Sequence, residues 1–251
     1  VGFSQFTKKR LQARLSPRDY DCVLYEYFHA ARSAALFRDH GVPTVVDTHN
    51  VLWKALEQRF AEDRRLPGWL TQFELARYRK QEERAWGCFD GLIAINREEQ
   101  QIIGSQIRPE QRMFYAPMGA DLVAWPYCWQ PVVPPRLAYY GGLGSSHNQS
   151  DALRCREKIM PEVWRHYPDT EFWIIGSNPP NQIRRLTVDP RVKVTGFVEN
   201  AQEILKTMSL LLCPWSGTYG FRSRIVEGMG LGVPGVALPG AVAGGATAPP
   251  P

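Results

Sequence analysis

The chain has 251 residues, of which 44% are hydrophobic and 22% are charged, and its formal net charge is +5. This composition excludes a mainly disordered protein, a collagen-like protein and a coiled coil. No apolar run reaches the roughly 18 residues that cross a bilayer. The basic residues are spread along the chain instead of forming the patch typical of nucleic-acid binding, so we expect no nucleic-acid partner.

Short apolar runs alternate with longer stretches of helical periodicity along most of the chain. Several of the runs are apolar at consecutive positions, which is typical of strands buried on both faces of a parallel sheet. The predicted strands are Cys22–Tyr27, Thr44–Asp47, Gly91–Ile95, Met113–Ala116, Leu137–Tyr140, Glu171–Ile175, Val192–Thr195 and Leu210–Cys213. The predicted helices are His29–His40, Val51–Arg64, Trp69–Trp86, Arg97–Gln106, Asp151–Tyr167, Gln182–Leu186, Ala201–Thr207 and Arg222–Leu231. This alternation predicts an α/β protein with parallel sheets.

The alternation stops between Ala124 and Arg136, where several prolines lie close together. Proline removes a backbone hydrogen-bond donor, which interrupts helices and central strands. We interpret residues 126–136 as a linker between two α/β domains, an N-terminal one over 1–125 and a C-terminal one over 137–235.

The last stretch, 236–251, consists of Ala, Gly, Pro and Val with one Leu and one Thr. It is predicted to be a low-complexity tail, and two explanations are open. It is either a flexible tail or the end of a truncated or frame-shifted reading frame. We favour the second, because the low-complexity composition begins in a strand-like stretch just after Gly232-Val233-Pro234.

The cysteines and the charge balance give weaker indications. The five cysteines are scattered, and none has the CxxC spacing or a nearby His at ligand spacing, so we expect no metal site. Free cysteines favour a reducing, cytoplasmic location. The mildly basic surface suits anionic small ligands or a peripheral membrane contact, but we favour its interpretation as a solvated helix face.

The most informative residues follow the last predicted strand, because ligands of parallel sheets bind at the carboxyl ends of strands. A Gly-containing loop there precedes a helix whose first turn carries Arg222 and Arg224. Cations at a helix N-terminus oppose its dipole unless an anion binds between them, which favours a diphosphate. Glu227, about one turn later, suits a ribose hydroxyl. The alternative is a solvated helix face with an Arg224–Glu227 ion pair.

The run Gly220-Phe221-Arg222-Ser223-Arg224-Ile225-Val226-Glu227-Gly228-Met229 resembles the nucleotide-sugar signature of glycosyltransferase family 4, the glycosyl transferases group 1 family. Further motifs agree with this family in order and spacing over residues 20–236. They are Asp47-Thr48-His49-Asn50, Pro117-Met118-Gly119-Ala120-Asp121, Tyr140-Gly141-Gly142-Leu143, Trp173-Ile174-Ile175-Gly176 and the strand that ends in Gly196-Phe197-Val198.

The resemblance implies a GT-B-like α/β fold, in which two Rossmann-like domains with parallel sheets face a cleft and the first domain is incomplete. It implies a retaining, metal-independent glycosyltransferase of the hexosyltransferase type, without a cofactor and with a UDP-sugar or GDP-sugar as donor. The acceptor would be a sugar or a lipid-linked acceptor. The expected setting is cell-surface polysaccharide biosynthesis in the cytoplasm, with membrane association at the cytoplasmic face.

The resemblance also implies roles for individual residues. The catalytic set comprises His49, which would face the transferred sugar from across the cleft, and Arg222 and Arg224, which would neutralise the leaving diphosphate. The implied donor-binding residues are Gly141, Gly142, Val198, Tyr219, Gly220, Phe221 and Glu227. Within that set the glycines would approach the phosphates, Val198 would lie beside the base and Glu227 would bind the ribose.

Two departures from the family pattern leave other functions open. Tyr219 stands where many members carry a first glutamate, and Ser145, Ser146 and His147 stand where many carry a basic pair. The alternatives are a nucleotide-sugar-binding pseudoenzyme or interaction domain, and a sugar-nucleotide 2-epimerase of the same fold. Compared with the family, the chain is expected to be a fragment cut at both ends, poorly soluble and weakly active alone.

Overall fold

The computed structural model describes residues 14–62, 66–117, 119, 121–215 and 222–243 of the chain. The described chain forms two compact units, which divide between Pro117 and Gly119. Each unit is built on one parallel sheet with helical connections between its strands. No helix in the described ranges is both long enough and apolar enough to cross a bilayer.

The first unit contains a sheet whose strands follow one another in chain order. Its strands are β1 (Val23–Glu26), β2 (Thr44–Asp47), β3 (Gly91–Ala94) and β4 (Arg112–Tyr115), all parallel, in the order β1-β2-β3-β4. Its helices are α1 (Ala34–Arg38), α2 (Leu52–Glu62), α3 (Gly68–Trp86) and α4 (Arg97–Gly104), and 3-10 segments cover Pro17–Asp19 and Phe28–Ser33. The strand ends align, since Glu26 and Asp47 are Cα partners across β1 and β2.

Buried apolar side chains and one carboxylate hold this sheet in place. Trp86, Phe89, Leu92 and Ile103 are almost completely buried. Burying such a side chain contributes about 1.5–3 kcal/mol. At the opposite end of the strands from the site described below, an Asp90 carboxylate oxygen accepts hydrogen bonds from the Thr44 amide and hydroxyl, each at 2.8 Å.

The second unit contains a sheet whose strand order reverses. Its strands are β5 (Arg136–Tyr140), β6 (Glu171–Ile175), β7 (Val192–Gly196), β8 (Leu210–Cys213) and β9 (Gly235–Ala237), all parallel, in the order β7-β6-β5-β8-β9. Its helices are α5 (Ser146–Arg154), α6 (Met160–His166), α7 (Asn181–Arg184), α8 (Ala201–Leu205), α9 (Ser223–Leu231) and α10 (Pro239–Ala243), with a π-helical stretch over Cys155–Ile159 and a 3-10 stretch over Arg185–Val188. The order reverses between β5 and β8, which is the place where open parallel sheets bind ligands.

The structure confirms the predicted fold class, an α/β protein with two Rossmann-like units. Each predicted strand is present, with ends that differ from the prediction by one residue at most. The helix predicted from Asp151 begins earlier, at Ser146, and the one predicted over His29–His40 is largely 3-10, with a short α1.

The predicted linker 126–136 packs on the second unit. The Cys128 amide donates to the Leu231 carbonyl at 3.1 Å, and the Trp129 indole donates to the Met208 carbonyl at 2.8 Å. Its last residue, Arg136, is already the first residue of β5. Trp129 is half-buried against the core of this unit, as expected of a large aromatic side chain whose N–H has a partner.

The predicted tail 236–251 begins inside a strand. Val236 and Ala237 belong to β9, which pairs with β8, and α10 follows. Backbone hydrogen bonds do not depend on side-chain composition, so a low-complexity stretch can complete a sheet. Residues 244–251 lie outside the described part of the chain, as do residues 1–13 of the predicted first domain.

Candidate functional site

The carboxyl end of β5 continues into a loop whose backbone lies against β6. The Gly141 amide donates to the Ile175 carbonyl at 2.9 Å, and the Leu143 amide donates to the Ser177 carbonyl at 2.8 Å. A Cβ at Gly176 would overlap the carbonyl group of Gly141. The two strand ends therefore approach this closely only because residue 176 has no side chain.

Arg224 lies directly on this loop. Its Nη1 donates a hydrogen bond to the Tyr140 carbonyl at 3.1 Å, and its guanidinium carbon is 4.9 Å from the ring centroid of Trp215. A Cβ at Gly141 would overlap the Arg224 guanidinium. The structure thus brings together Gly141 and Arg224, which the sequence had placed in one site from separate motifs.

Glu227 lies near the same strand end, one turn further along α9. Burial, and secondarily the neighbouring Glu227 carboxylate, raise the pKa of Tyr140 to about 12. Tyr140 therefore interacts with both signature residues, through its carbonyl with Arg224 and through its hydroxyl with Glu227. This arrangement holds a guanidinium and a carboxylate at the end of β5.

Two aromatic residues that the sequence analysis missed support this cluster. Tyr139 is completely buried and Trp215 is buried, and their ring centroids are 6.3 Å apart. Burial raises the pKa of Tyr139 to about 12, although the Trp215 and Arg224 side chains oppose the rise. Both residues stand at the switch point, at the end of β5 and just after β8. The sequence signal that could have indicated their role in the site is an aromatic residue near the end of an apolar strand.

The other predicted donor-site residues have different outcomes. The Gly142 carbonyl accepts a hydrogen bond from the Asn148 side chain at 2.6 Å. Arg222 occupies the N-cap position of α9, one residue before the first turn in which it was expected, and is half-buried. Val198 follows β7, is partly buried and packs against the hydrophobic core of the second unit. Tyr219, Gly220 and Phe221 lie outside the described residues.

His49 lies in the first unit, in the turn after β2. Its backbone has φ +54°, a left-handed conformation that histidine tolerates better than most side chains. Its Nε2 contacts a carboxylate oxygen of Glu26, and its amide donates to an Asp47 carboxylate oxygen at 3.1 Å. The Tyr27 ring, itself on a residue with φ +63°, lies 4.5 Å from the imidazole, centroid to centroid. The sequence did not predict Glu26 and Tyr27 as site residues. The available signal was Glu26, a polar residue at the end of an apolar strand.

Within the described ranges, Glu26, Asp47 and His49 are the group whose donor atoms are close enough to hold a metal ion, since they all lie within 4.8 Å of one another. The imidazole contacts Glu26, and the His49 amide donates to Asp47. These contacts form a hydrogen-bonded set without requiring an ion.

A buried carboxylate supports the helix that follows the His49 turn. The two Glu82 oxygens accept hydrogen bonds from the Leu52 and Trp53 amides, at 2.9 and 2.8 Å, at the start of α2. Burial raises the pKa of Glu82 to about 7, and the two amide hydrogen bonds act in the opposite direction. The start of α2 thus depends on a carboxylate that is difficult to ionise.

A comparison with protein-family models finds a match that covers most of the second unit. Residues 134–247, a little under half of the chain, match the family model described as glycosyl transferases group 1. Comparison with curated protein sequences finds no match.

Among solved structures, the chain is similar to a sucrose-phosphate synthase from Thermosynechococcus elongatus, with a TM-score of 0.62 and 14% identity over 92% of this chain and 58% of that one. It is also similar to an alpha,alpha-trehalose-phosphate synthase (UDP-forming) from Burkholderia xenovorans in complex with glucose-6-phosphate, with a TM-score of 0.61 and 14% identity over 94% and 62%. TarM has a TM-score of 0.61 and 11% identity over 92% and 43%.

At these identities the structural likeness establishes the fold, which is GT-B-like, and nothing beyond it. The chain spans less than two thirds of the length of each of these structures, from 43% to 62%.

Proposed function

We propose that the chain acts as a glycosyltransferase that uses a nucleotide-diphosphate sugar, and the match of residues 134–247 to the family model described as glycosyl transferases group 1 supports this proposal. The observation that carries this function is the position of Arg224, held on the glycine loop by the Tyr140 carbonyl and the Trp215 ring. A guanidinium beside a glycine loop, at the second residue of a helix, is suited to a diphosphate.

Each part of the donor has a group that suits it. Arg224 and Arg222 bind the diphosphate, and Gly141 and Gly142 keep the loop free of side chains so that phosphate oxygens can approach the backbone. Glu227 accepts hydrogen bonds from the ribose hydroxyls, because an ionised carboxylate is an acceptor. Val198 contacts the base, and Tyr219, Gly220 and Phe221 complete the donor site.

The reaction breaks the bond between the sugar and the diphosphate. Negative charge grows on the leaving oxygen in the transition state, and the two guanidinium groups stabilise it, which can contribute several kcal/mol. The acceptor oxygen bonds to the anomeric carbon on the face that the diphosphate leaves, and the leaving oxygen takes the acceptor's proton. The sugar is thus transferred with retention and without a metal ion. His49 contacts the transferred sugar. A UDP-sugar or GDP-sugar is the donor, and a sugar or lipid-linked molecule in polysaccharide assembly is the acceptor.

Nucleotide binding tests this function most directly. We expect UDP or GDP, but not ADP, to raise the melting temperature of the protein, with a stabilisation of about 2.7 kcal/mol at roughly 100 times the Kd. Arg224→Ala should weaken nucleotide binding by about 100-fold or more, because it removes a charge-assisted contact. The matched control is Arg165→Ala, since Arg165 forms an exposed ion pair with Glu162 on α6. If neither UDP nor GDP stabilises the protein, the proposed donor site is contradicted.

Product analysis then separates the remaining alternatives. Release of free sugar or transfer to an added acceptor from a bound nucleotide-sugar supports the transferase. Binding without turnover indicates a pseudoenzyme or interaction domain. Recovery of the nucleotide-sugar with an inverted C2 centre indicates a 2-epimerase.

A further inference from the structure

Glu26 and His49 form a pair at the carboxyl ends of neighbouring strands in the first unit. Glu26 is the last residue of β1, and its Cα partner on β2 is Asp47, two residues before His49. The left-handed turn at His49 directs the imidazole back towards β1, where its Nε2 meets a Glu26 carboxylate oxygen.

The His49 ring is held from several sides. Its amide donates to Asp47, which fixes the backbone of the turn. The Tyr27 ring lies 4.5 Å from the imidazole at an interplanar angle of 35°. The Tyr27 amide in turn donates to the Asp47 carbonyl at 2.9 Å. The same short segment therefore fixes both the direction of the imidazole and the carboxylate that it contacts.

The chemistry of this contact determines which imidazole nitrogen carries the proton. An ionised carboxylate offers hydrogen-bond acceptors only, so the nitrogen that faces Glu26 must be the N–H. A neutral imidazole has one N–H, so its other nitrogen, Nδ1, keeps its lone pair. We infer that Glu26 is a positioning residue that fixes His49 in the Nε2-protonated tautomer and leaves Nδ1 as a hydrogen-bond acceptor for a sugar hydroxyl.

This inference commits His49 to one class of contact. A hydroxyl can donate a hydrogen bond to Nδ1, whereas a phosphate oxygen has no hydrogen to donate and would require a protonated ring. The tautomer follows from the contacts of the first unit alone. The assignment of the hydroxyl to a sugar rests on the proposed function.

Nitrogen NMR tests the tautomer without any substrate. Long-range proton–nitrogen correlation spectra of the labelled protein, at a pH above the range in which an ordinary imidazole titrates, distinguish the protonated from the unprotonated ring nitrogen. The His49 signals are identified by their loss in His49→Gln. We expect Nε2 to be protonated and Nδ1 to be unprotonated. Glu26→Gln should yield a mixture of tautomers, because a glutamine amide both donates and accepts.

The matched control is Glu74→Gln, which makes the same substitution in an exposed ion pair of the same unit, with Arg77. It should leave the His49 signals unchanged. Protonation of Nδ1 alone, or a doubly protonated ring, in the unchanged protein would overturn the inference. So would loss of the proton from Nε2, with Nδ1 protonated, on addition of one equivalent of Zn²⁺, because Nε2 would then be a metal ligand.

Activity gives a second test, because asparagine and glutamine imitate different imidazole nitrogens. The amide of His49→Asn stands close to the position of Nδ1, and that of His49→Gln stands close to Nε2. If Nδ1 faces the sugar, His49→Asn should retain about tenfold more donor hydrolysis than His49→Gln, about 1.4 kcal/mol. Equal or reversed losses would contradict the assignment of Nδ1. If the unchanged protein hydrolyses no nucleotide-sugar although its NMR tautomer is as expected, the proposed function fails and the tautomer stands.

Discussion

The two sheets present different carboxyl edges. The edge of the second sheet is lined by backbone, because Gly141, Gly142 and Gly176 lack side chains where β5 and β6 end. The edge of the first sheet is lined by side chains, with Glu26 and His49 in contact and positive φ at Tyr27 and His49. The second sheet reverses its strand order at β5, whereas the four described strands of the first sheet follow in sequence.

This difference makes the two edges suited to different chemical groups. Bare backbone with an adjacent guanidinium is suited to the diffuse charge of a diphosphate, which needs amides and cations more than directional contacts. Fixed polar side chains are suited to directional hydrogen bonds with hydroxyls. The comparison predicts that added side chains damage the second unit, and that changes in buried charge affect the first.

The largest effect is expected from Gly176→Ala. The new Cβ would overlap the backbone carbonyl of Gly141, which cannot move without shifting the loop. The second unit should lose about 3 kcal/mol of unfolding free energy, the upper part of the range for overpacked sites. Hydrogen exchange read separately in β5 and in β2 should show the loss in β5 alone. Gly235→Ala is the control, because its Cβ would lie 3.9 Å from the nearest atom. Equal effects of the two substitutions would contradict the close approach.

The next effect is a pH dependence of the first unit. The pKa of Glu82 rises from 4.5 to about 7 on folding, so the folded state binds the proton more tightly than the unfolded state. The contribution of Glu82 to the free energy of unfolding is therefore fully present below about pH 4.5. It is lost as the pH rises through about 7, by up to about 3 kcal/mol. Glu82→Gln should remove this slope in denaturant titrations that follow β2, and Glu74→Gln should keep it. A first unit whose stability is independent of pH over this window would refute the assignment.

A smaller effect is expected from Gly141→Ala, read in nucleotide binding. The added methyl displaces the Arg224 guanidinium, a flexible group that can move where a backbone carbonyl cannot. The affinity for UDP or GDP should fall by about 10-fold to 100-fold, about 1.4–2.7 kcal/mol, without loss of the fold. Gly144→Ala, whose Cβ would lie 4.0 Å from Asn178, should bind as the unchanged protein does. Calorimetric titration with UDP or GDP measures the affinity of both variants. An unchanged affinity in Gly141→Ala would show that the Gly141 loop is not part of the nucleotide site.

The smallest effects are expected from the loss of one helix-capping asparagine in each unit. Asn96 caps α4 by accepting a hydrogen bond from the Glu99 amide at 2.8 Å, and Asn200 caps the shorter α8 from the Gln202 amide at 3.2 Å. Asn96→Ala should cost about 1 kcal/mol in the first unit, and Asn200→Ala should cost about 0.5 kcal/mol in the second. The reverse order in denaturant unfolding would show that hydrogen-bond length and helix length do not set the cost of a lost cap.

Several features were predictable from local pattern. Thr44–Asp47, Glu171–Ile175 and Leu210–Cys213 are strands with the bounds that their apolar runs indicated, because buried parallel strands need continuous apolar side chains. The β9 strand was missed because its short Gly-Val-Ala sequence has little strand propensity and forms by completing the edge of β8. The aromatic residues of the presumed linker, such as Trp129, pack on the second unit through contacts that are distant in sequence.

The sequence by itself determined the α/β class, the alternation of strands and helices, and the positions of Gly141, Arg224, Glu227 and His49 at strand ends or helix starts. These follow from local periodicity and from residue types that act within one turn or one loop. Only the tertiary structure decided that Arg224 rests on Gly141 and that Glu26 contacts His49. Such contacts depend on strand order and register, which bring together residues far apart in the chain and which no local pattern encodes.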